Sequence, residues 1–292
     1  MKKTLTAILS FAALLSTFAH AQTVQTVASF SVLADIAKQV GGEHIQVSTL
    51  VGPDGDPHTF EPTAKDSVTL SQADLVFVSG LGLEGWMGRL ISASGYQGMV
   101  VTASKGISTR KMEEDGETIT DPHAWNSAKN AEVYARNIME ALIKTEPQYA
   151  DYFRANGEAY IAQLDALDQW ANTQFNTIQK SKRKILTSHD AFGYFGEAYG
   201  VKFLSPVGFS TESEASASGV AKLIDQMKTE KIHCYFIENQ ADPRLVKQIA
   251  SATGATAGGE LYPEALTHAN GNAPTYIDAF KHNVITMVNS MK

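Results

Sequence analysis

Apolar positions along the chain fall into two matching rhythms. From Thr26 a short β-branched run, Val27 to Phe30, leads into a helical pattern from Val32 to Val40. That pattern stops at Gly41-Gly42, and a second run follows from Ile45 to Val51. The alternation continues through Leu75 to Val78, a helix around Trp86 to Ile91, and Met99 to Val101. The second half repeats it with Lys184 to Ser188, a helix over Ala191 to Tyr199, Val201 to Leu204, and a helix over Val220 to Lys228. Ile232 to Ile237, a helix over Arg244 to Ala252 and a closing helix over Tyr276 to Met291 complete the series. Short strands alternating with helices predict βαβ units on parallel sheets. The expected fold is α/β, in two lobes that are each a mainly parallel sheet flanked by helices.

A different pattern separates the halves. After Pro147, apolar or aromatic residues recur at Tyr149, Phe153, Tyr160, Leu164, Leu167, Ala171, Phe175 and Ile178, in steps that keep one face of a helix. Gly157 is its weak point. A helix over 148–180 would run roughly 50 Å, long enough to lie along both lobes as a spine and to resist wide hinge opening. The implied organisation is an N-terminal lobe over 22–147, the spine helix over 148–180 and a C-terminal lobe over 181–292.

Residues 1–21 read as a leader instead of structure. Lys2 and Lys3 precede an apolar run from Ala7 to Leu15, and Ala19-His20-Ala21 has the small-x-small pattern that a signal peptidase cuts. The run is too short to span a bilayer, and no later stretch approaches the roughly 20 apolar residues of a transmembrane helix. Gln22 stands where a bacterial lipoprotein would carry cysteine, so the expected product is a periplasmic chain without a lipid anchor.

With 292 residues and 43% hydrophobic content, the chain has ample material for a core. A net charge of −7 with no basic stripe argues against a nucleic-acid partner. The single cysteine, Cys234, excludes an intramolecular disulfide and a thiolate cluster, so any metal must be held by nitrogen and oxygen.

The histidines concentrate the chemistry. Of the eight, His58, His123 and His189 lie in loops just after strand-like runs, where open parallel sheets bind ligands. The tripeptide Asp-Pro-His occurs twice, at Asp56-Pro57-His58 and Asp121-Pro122-His123, and proline stiffens each loop that carries an imidazole. Spacing alone leaves a shared metal site open, since no HExxH or HxH motif places two ligands on one element. His233 and Cys234 are adjacent in a strand and so face opposite sides. His268 and His282 are expected in solvent, and Trp86, Trp125 and Trp170 as packing anchors, with Trp125 close enough to His123 to wall a site.

These segments carry a resemblance. Pro57-His58-Thr59-Phe60-Glu61-Pro62-Thr63, Asp121-Pro122-His123-Ala124-Trp125 and Thr187-Ser188-His189-Asp190-Ala191-Phe192-Gly193-Tyr194-Phe195 resemble the signatures of the periplasmic zinc- and manganese-binding proteins of ABC importers, the cluster 9 solute-binding family. The likeness extends through Gly208 to Glu212, Ile237-Glu238-Asn239 and Leu261-Tyr262. It implies two pseudo-symmetric α/β lobes joined by one long helix, with a transition metal buried between them. By position, His58 and His123 would come from the first lobe and His189 from the second. The family's fourth ligand is commonly an Asp after the Leu-Tyr pair, and the matching residue here is Glu264, a departure. The acidic stretch Lys111 to Glu117 lacks the histidines that zinc-type members often carry there, and whether it holds a second metal stays open.

The resemblance implies a monomeric carrier that hands one metal ion to an inner-membrane ABC permease, with no catalytic residues. Three imidazoles and one carboxylate suit Zn²⁺, and manganese-type members tend to carry a carboxylate where His189 stands. Mn²⁺ or Fe²⁺ is the alternative cargo. A zinc hydrolase using Glu264 as base, or a surface adhesin, are the competing classes. Glu61, Asp190 and Glu238 are the candidates to orient the imidazoles. Release is expected to draw His189 and Glu264 together away from His58 and His123.

Overall fold

A computed structural model describes residues 23–114, 117–211 and 215–292; the leader, residues 115–116 within the acidic stretch, and Glu212 lie outside the described residues. The chain begins with β1 (Val24–Phe30), α1 (Ser31–Gly41), β2 (Ile45–Val51), α2 (Ala64–Ser71), β3 (Leu75–Val78), α3 (Met87–Ser94) and β4 (Met99–Thr102). A hairpin of β5 (Lys111–Glu114) and β6 (Glu117–Thr120) follows, then α4 (Ala128–Thr145) and α5 (Ala150–Asn176). The second half contains β7 (Lys184–Leu186), α6 (Gly193–Tyr199), β8 (Lys202–Leu204) and α7 (Ala217–Glu230). It continues with β9 (Cys234–Glu238), α8 (Arg244–Thr253), β10 (Thr256–Leu261) and α9 (Tyr276–Met291).

The expected α/β architecture is present. The first sheet has the order β2-β1-β3-β4 and the second β10-β9-β7-β8, and every pairing in both is parallel. Numbered within each half, both orders are second-first-third-fourth, so the halves share one topology. In each, the order reverses between the first and third strands, leaving a crevice at their carboxyl ends.

Helix α5 spans 27 residues, shorter at both ends than the pattern predicts, because a 3₁₀ turn at Pro147–Tyr149 precedes it and Thr177 caps it. Phe153, Gly157, Tyr160, Leu164, Leu167, Ala171 and Phe175 form its buried face. Gly157 is where α4 comes closest: a Cβ there would lie 2.5 Å from Met139 Sδ. Absence of a side chain is thus a packing requirement. One apolar core joins the first sheet, α1, α4, α5, α6 and α9, and a smaller one made of Leu186, Leu223, Met227, Ile232, Val246 and Ile249 lies under α7 and α8.

Elements that the pattern did not reveal have local causes. Strand β10, Thr-Ala-Gly-Gly-Glu-Leu, has few β-branched residues and a register shift at Gly259. Helix α4 buries Ala131, Tyr134, Ala135, Ile138 and Leu142, a stripe diluted by alanine. Helix α2 buries only Leu70 and depends on its start, where Thr63 and Asp66 exchange side-chain and backbone hydrogen bonds in a capping box. His233, just before β9, is exposed and Cys234, the first residue of β9, is buried, as strand alternation requires. His282 is half-buried, not in solvent, because its Nε2 meets the carbonyl of Glu260 at 3.0 Å on the adjoining strand. Among the described residues no helix is long and apolar enough to cross a membrane.

Candidate metal site

Two of the four singled-out residues, His58 and His123, sit in loops that their own sequence stiffens. In both Asp-Pro-His turns the aspartate accepts the backbone N–H of the histidine two residues on, from His58 to Asp56 Oδ1 at 2.8 Å and from His123 to Asp121 Oδ1 at 2.9 Å. The second turn does more, because Asp121 Oδ1 also accepts Nδ1–H of His123 at 2.8 Å. His189 follows β7 and is held by Glu238 at the end of β9, whose Oε2 takes its Nδ1–H. Glu238 Oε1 accepts the backbone N–H of Ser188 at 2.9 Å and of His189 at 3.3 Å. Of the three orienting candidates, Glu238 performs that task for His189. Glu61 is exposed, and the Asp190 carboxylate makes no hydrogen bond to an imidazole among the described residues, so neither fills it. Asp121, inside the motif itself, orients His123.

With Nδ1 of His123 and His189 occupied in this way, the Nε2 atoms turn inward. One ligand atom from each of His58, His123, His189 and Glu264 lies within 4.8 Å of all the others, the one such group among the described residues. Glu264 Oε1 stands 2.7 Å from Nε2 of His58, 2.9 Å from that of His123 and 3.4 Å from that of His189. All four side chains are sealed from solvent, His58 at 3% being the most accessible. Nε2 of His189 is buried with no hydrogen-bond partner. Such an orphan in a cluster of three convergent imidazoles and a carboxylate suits a cation, not a closed hydrogen-bond network.

Charge is strongly coupled here. Burial opposes a positive His123, yet Asp121 and Glu264 beside it prevail and raise its pKa to about 9. Burial likewise opposes a charge on His189, and Glu238 and Glu264 outweigh it, so its pKa also rises. For Glu264 burial works upward, but the surrounding imidazoles hold it well below the ordinary carboxylate value. Asp121 is held low against its own burial by His123 and by Arg110, whose guanidinium pairs with Oδ2.

The loop of Glu264 belongs to the second half in sequence but is fastened to the first. Trp125 Nε1–H donates to Pro263 O at 2.7 Å, Leu266 N–H to Ser31 Oγ at 3.0 Å and Asp54 N–H to Leu266 O at 2.9 Å. From the other side Asn239 Nδ2–H donates to Ala265 O at 3.2 Å, so the loop of Glu264 is tied to both halves. Trp86 acts in parallel, its Nε1–H reaching Pro57 O at 2.9 Å, so an indole fixes the carbonyl preceding both His58 and Glu264. The Trp125 ring also packs 5.6 Å from the ring of His123 and walls the cluster. Gln240, unmarked by any sequence signal, donates to Glu264 Oε2 at 3.1 Å.

A family model described as "Zinc-uptake complex component A periplasmic" matches residues 26–290. The manganese-binding lipoprotein MntA of Bacillus subtilis (strain 168) is 34% identical over 278 residues, covering 93% of this chain and 90% of the relative. The iron-binding protein YfeA of Yersinia pestis is 32% identical over 292 residues, covering 96% and 93%. The solved structure of the periplasmic zinc-binding protein TroA from Treponema pallidum superposes with a TM-score of 0.86 at 30% identity, covering 92% of this chain and 99% of that one.

Proposed function

Because this chain belongs to the periplasmic zinc-uptake component A family, and is thus a metal-binding component of an ABC importer and not an enzyme, we propose that its cargo is Zn²⁺ held by His58, His123, His189 and Glu264. The observation that carries the reading is the convergence of three Nε2 atoms on one carboxylate oxygen in a sealed cluster. Neutral imidazoles with one carboxylate match the four-coordinate nitrogen–oxygen cages that Zn²⁺ prefers. Metal held between the halves favours their closed arrangement by mass action. Release follows when the β7–β9 unit draws His189 away from His58 and His123.

A second reading, Mn²⁺ or Fe²⁺ as cargo, is favoured by the names of the relatives MntA and YfeA. The two are separated by metal analysis of protein purified without added metal, paired with competition titration of the stripped protein by Zn²⁺ and Mn²⁺. Zinc content near one per chain and tighter zinc binding support the first reading; manganese in the purified protein overturns it.

We further assign the chain to the periplasm as a monomer serving an inner-membrane permease. Cell fractionation and the mass of the purified protein in solution test this; a particle of twice the chain's mass would overturn it.

A further inference from the structure

Zn²⁺ and Mn²⁺ carry the same charge but differ in how many ligands they take. Zn²⁺ is satisfied by four in a tetrahedron, whereas Mn²⁺ favours an octahedral, oxygen-rich shell. Discrimination falls on whatever limits the oxygens that the protein can present.

The carboxylates around the cluster are limited one oxygen at a time. Asp121 Oδ1 is taken by the N–H and Nδ1–H of His123 and Oδ2 by Arg110. Glu238 Oε1 is taken by two backbone N–H groups and Oε2 by His189. Glu264 alone turns an oxygen, Oε1, to the three Nε2 atoms. Its Oε2 could add a further ligand by a small rotation of the same carboxylate, and the longer arm of glutamate relative to aspartate makes that rotation easy. Oε2 is instead held by the amide of Gln240 at 3.1 Å. The carboxylate only accepts, so the amide nitrogen must face it. Gln240 Oε1 is buried without a partner, which leaves the bond to Glu264 as the side chain's polar link.

We propose that Gln240 is a selectivity-determining residue that restrains Glu264 to one-oxygen ligation and so favours four-coordinate Zn²⁺ over Mn²⁺. The proposal rests on the reading of His58, His123, His189 and Glu264 as the ligands of the cargo. Loss of the amide frees Oε2 for two-oxygen ligation, which adds a ligand that Mn²⁺ uses and Zn²⁺ does not need.

The test measures Zn²⁺ and Mn²⁺ affinity of the full chain and its Gln240→Leu, Gln240→Ala and Glu264→Ala variants, by competition with a chromophoric chelator for zinc and by electron paramagnetic resonance of free manganese. Zinc affinity of both Gln240 variants should fall about tenfold, in the range for removal of a group that orients a ligand, while manganese affinity holds or rises. X-ray absorption of the manganese-loaded Gln240→Ala protein should show one more oxygen neighbour than wild type. Equal weakening toward both metals, or an unchanged ratio, overturns the proposal while leaving the ligand reading intact, provided that Glu264→Ala has lost affinity. A Glu264→Ala protein that binds zinc like wild type overturns both.

Discussion

The indole N–H of Trp125 and the carbonyl of Pro263 meet at 2.7 Å, so the residue two places after His123 fixes the one just before Glu264. Two ligand loops separated by more than a hundred residues of sequence are thereby set against each other by a single hydrogen bond. Trp125→Phe keeps most of the packing and removes the donor. The expected cost is about 1 kcal/mol of stability, together with a weakening of zinc binding of about tenfold as Glu264 loses its support. Chemical denaturation and competition titration read the two effects separately.

Zinc at a hundred times its dissociation constant should add about 2.7 kcal/mol to the stability of the folded chain. For a protein of this size that corresponds to a rise in melting temperature of about 5 °C. His58→Ala should abolish most of the rise, because its Nε2 lies closest of the three to Glu264 Oε1. A zinc-induced shift in the mutant equal to that of wild type would rule His58 out as a ligand.

Protons and metal compete for His123. Its pKa is raised from 6.5 to about 9 in the metal-free protein, so the stabilisation from its protonated form is complete below 6.5 and disappears as the pH climbs through about 9. A ligating imidazole must be neutral, so metal binding follows the opposite trend. Between pH 7 and 9 the melting temperature of metal-free protein should fall while zinc affinity rises. Calorimetric titration in two buffers of different ionisation enthalpy should register protons released on binding at pH 7.5, and equal heats in both buffers would contradict the assignment.

Gly193 makes room for Arg110. A Cβ at Gly193 would lie 1.7 Å from Arg110 Nη1 and 2.6 Å from Asp121 Oδ2, so Gly193→Ala must expel the guanidinium and leave the buried Asp121 without that partner. A loss of about 1–3 kcal/mol follows, measurable by denaturant unfolding. On an Arg110→Ala background the same glycine substitution should cost much less, since the two changes remove one interaction. Additive losses would show that Gly193 matters for another reason.

The strand–helix alternation was legible because β1, β3 and the helices that follow them are strongly apolar, and α5 carries its stripe over seven turns. Helix α4 and strand β10 were not, because alanine and glycine mark neither burial nor strand by themselves. His58, His123 and His189 stood out as loop residues after strands. Glu264 was reachable only through the family resemblance, since it sits in a loop after an unrecognised strand and reaches the cluster by contacts to Ser31, Asp54 and Trp125 far away in sequence. Asp121 was in plain view within Asp-Pro-His. Its task, like that of Gln240, depends on where a side chain ends up in the folded molecule, and no local pattern encodes that.

Cys234 lies in β9 at 6% exposure, and burial pushes its thiol pKa up. Once folded, the chain shows soft ions such as cadmium, mercury or cuprous copper no exposed thiol. Before folding, that sulfur is open to them, and an ion clasped by the unfolded chain holds back its collapse. Poisoning by soft metals should therefore strike newly made molecules far harder than mature ones, and adding the correct cargo after folding would not rescue those already trapped.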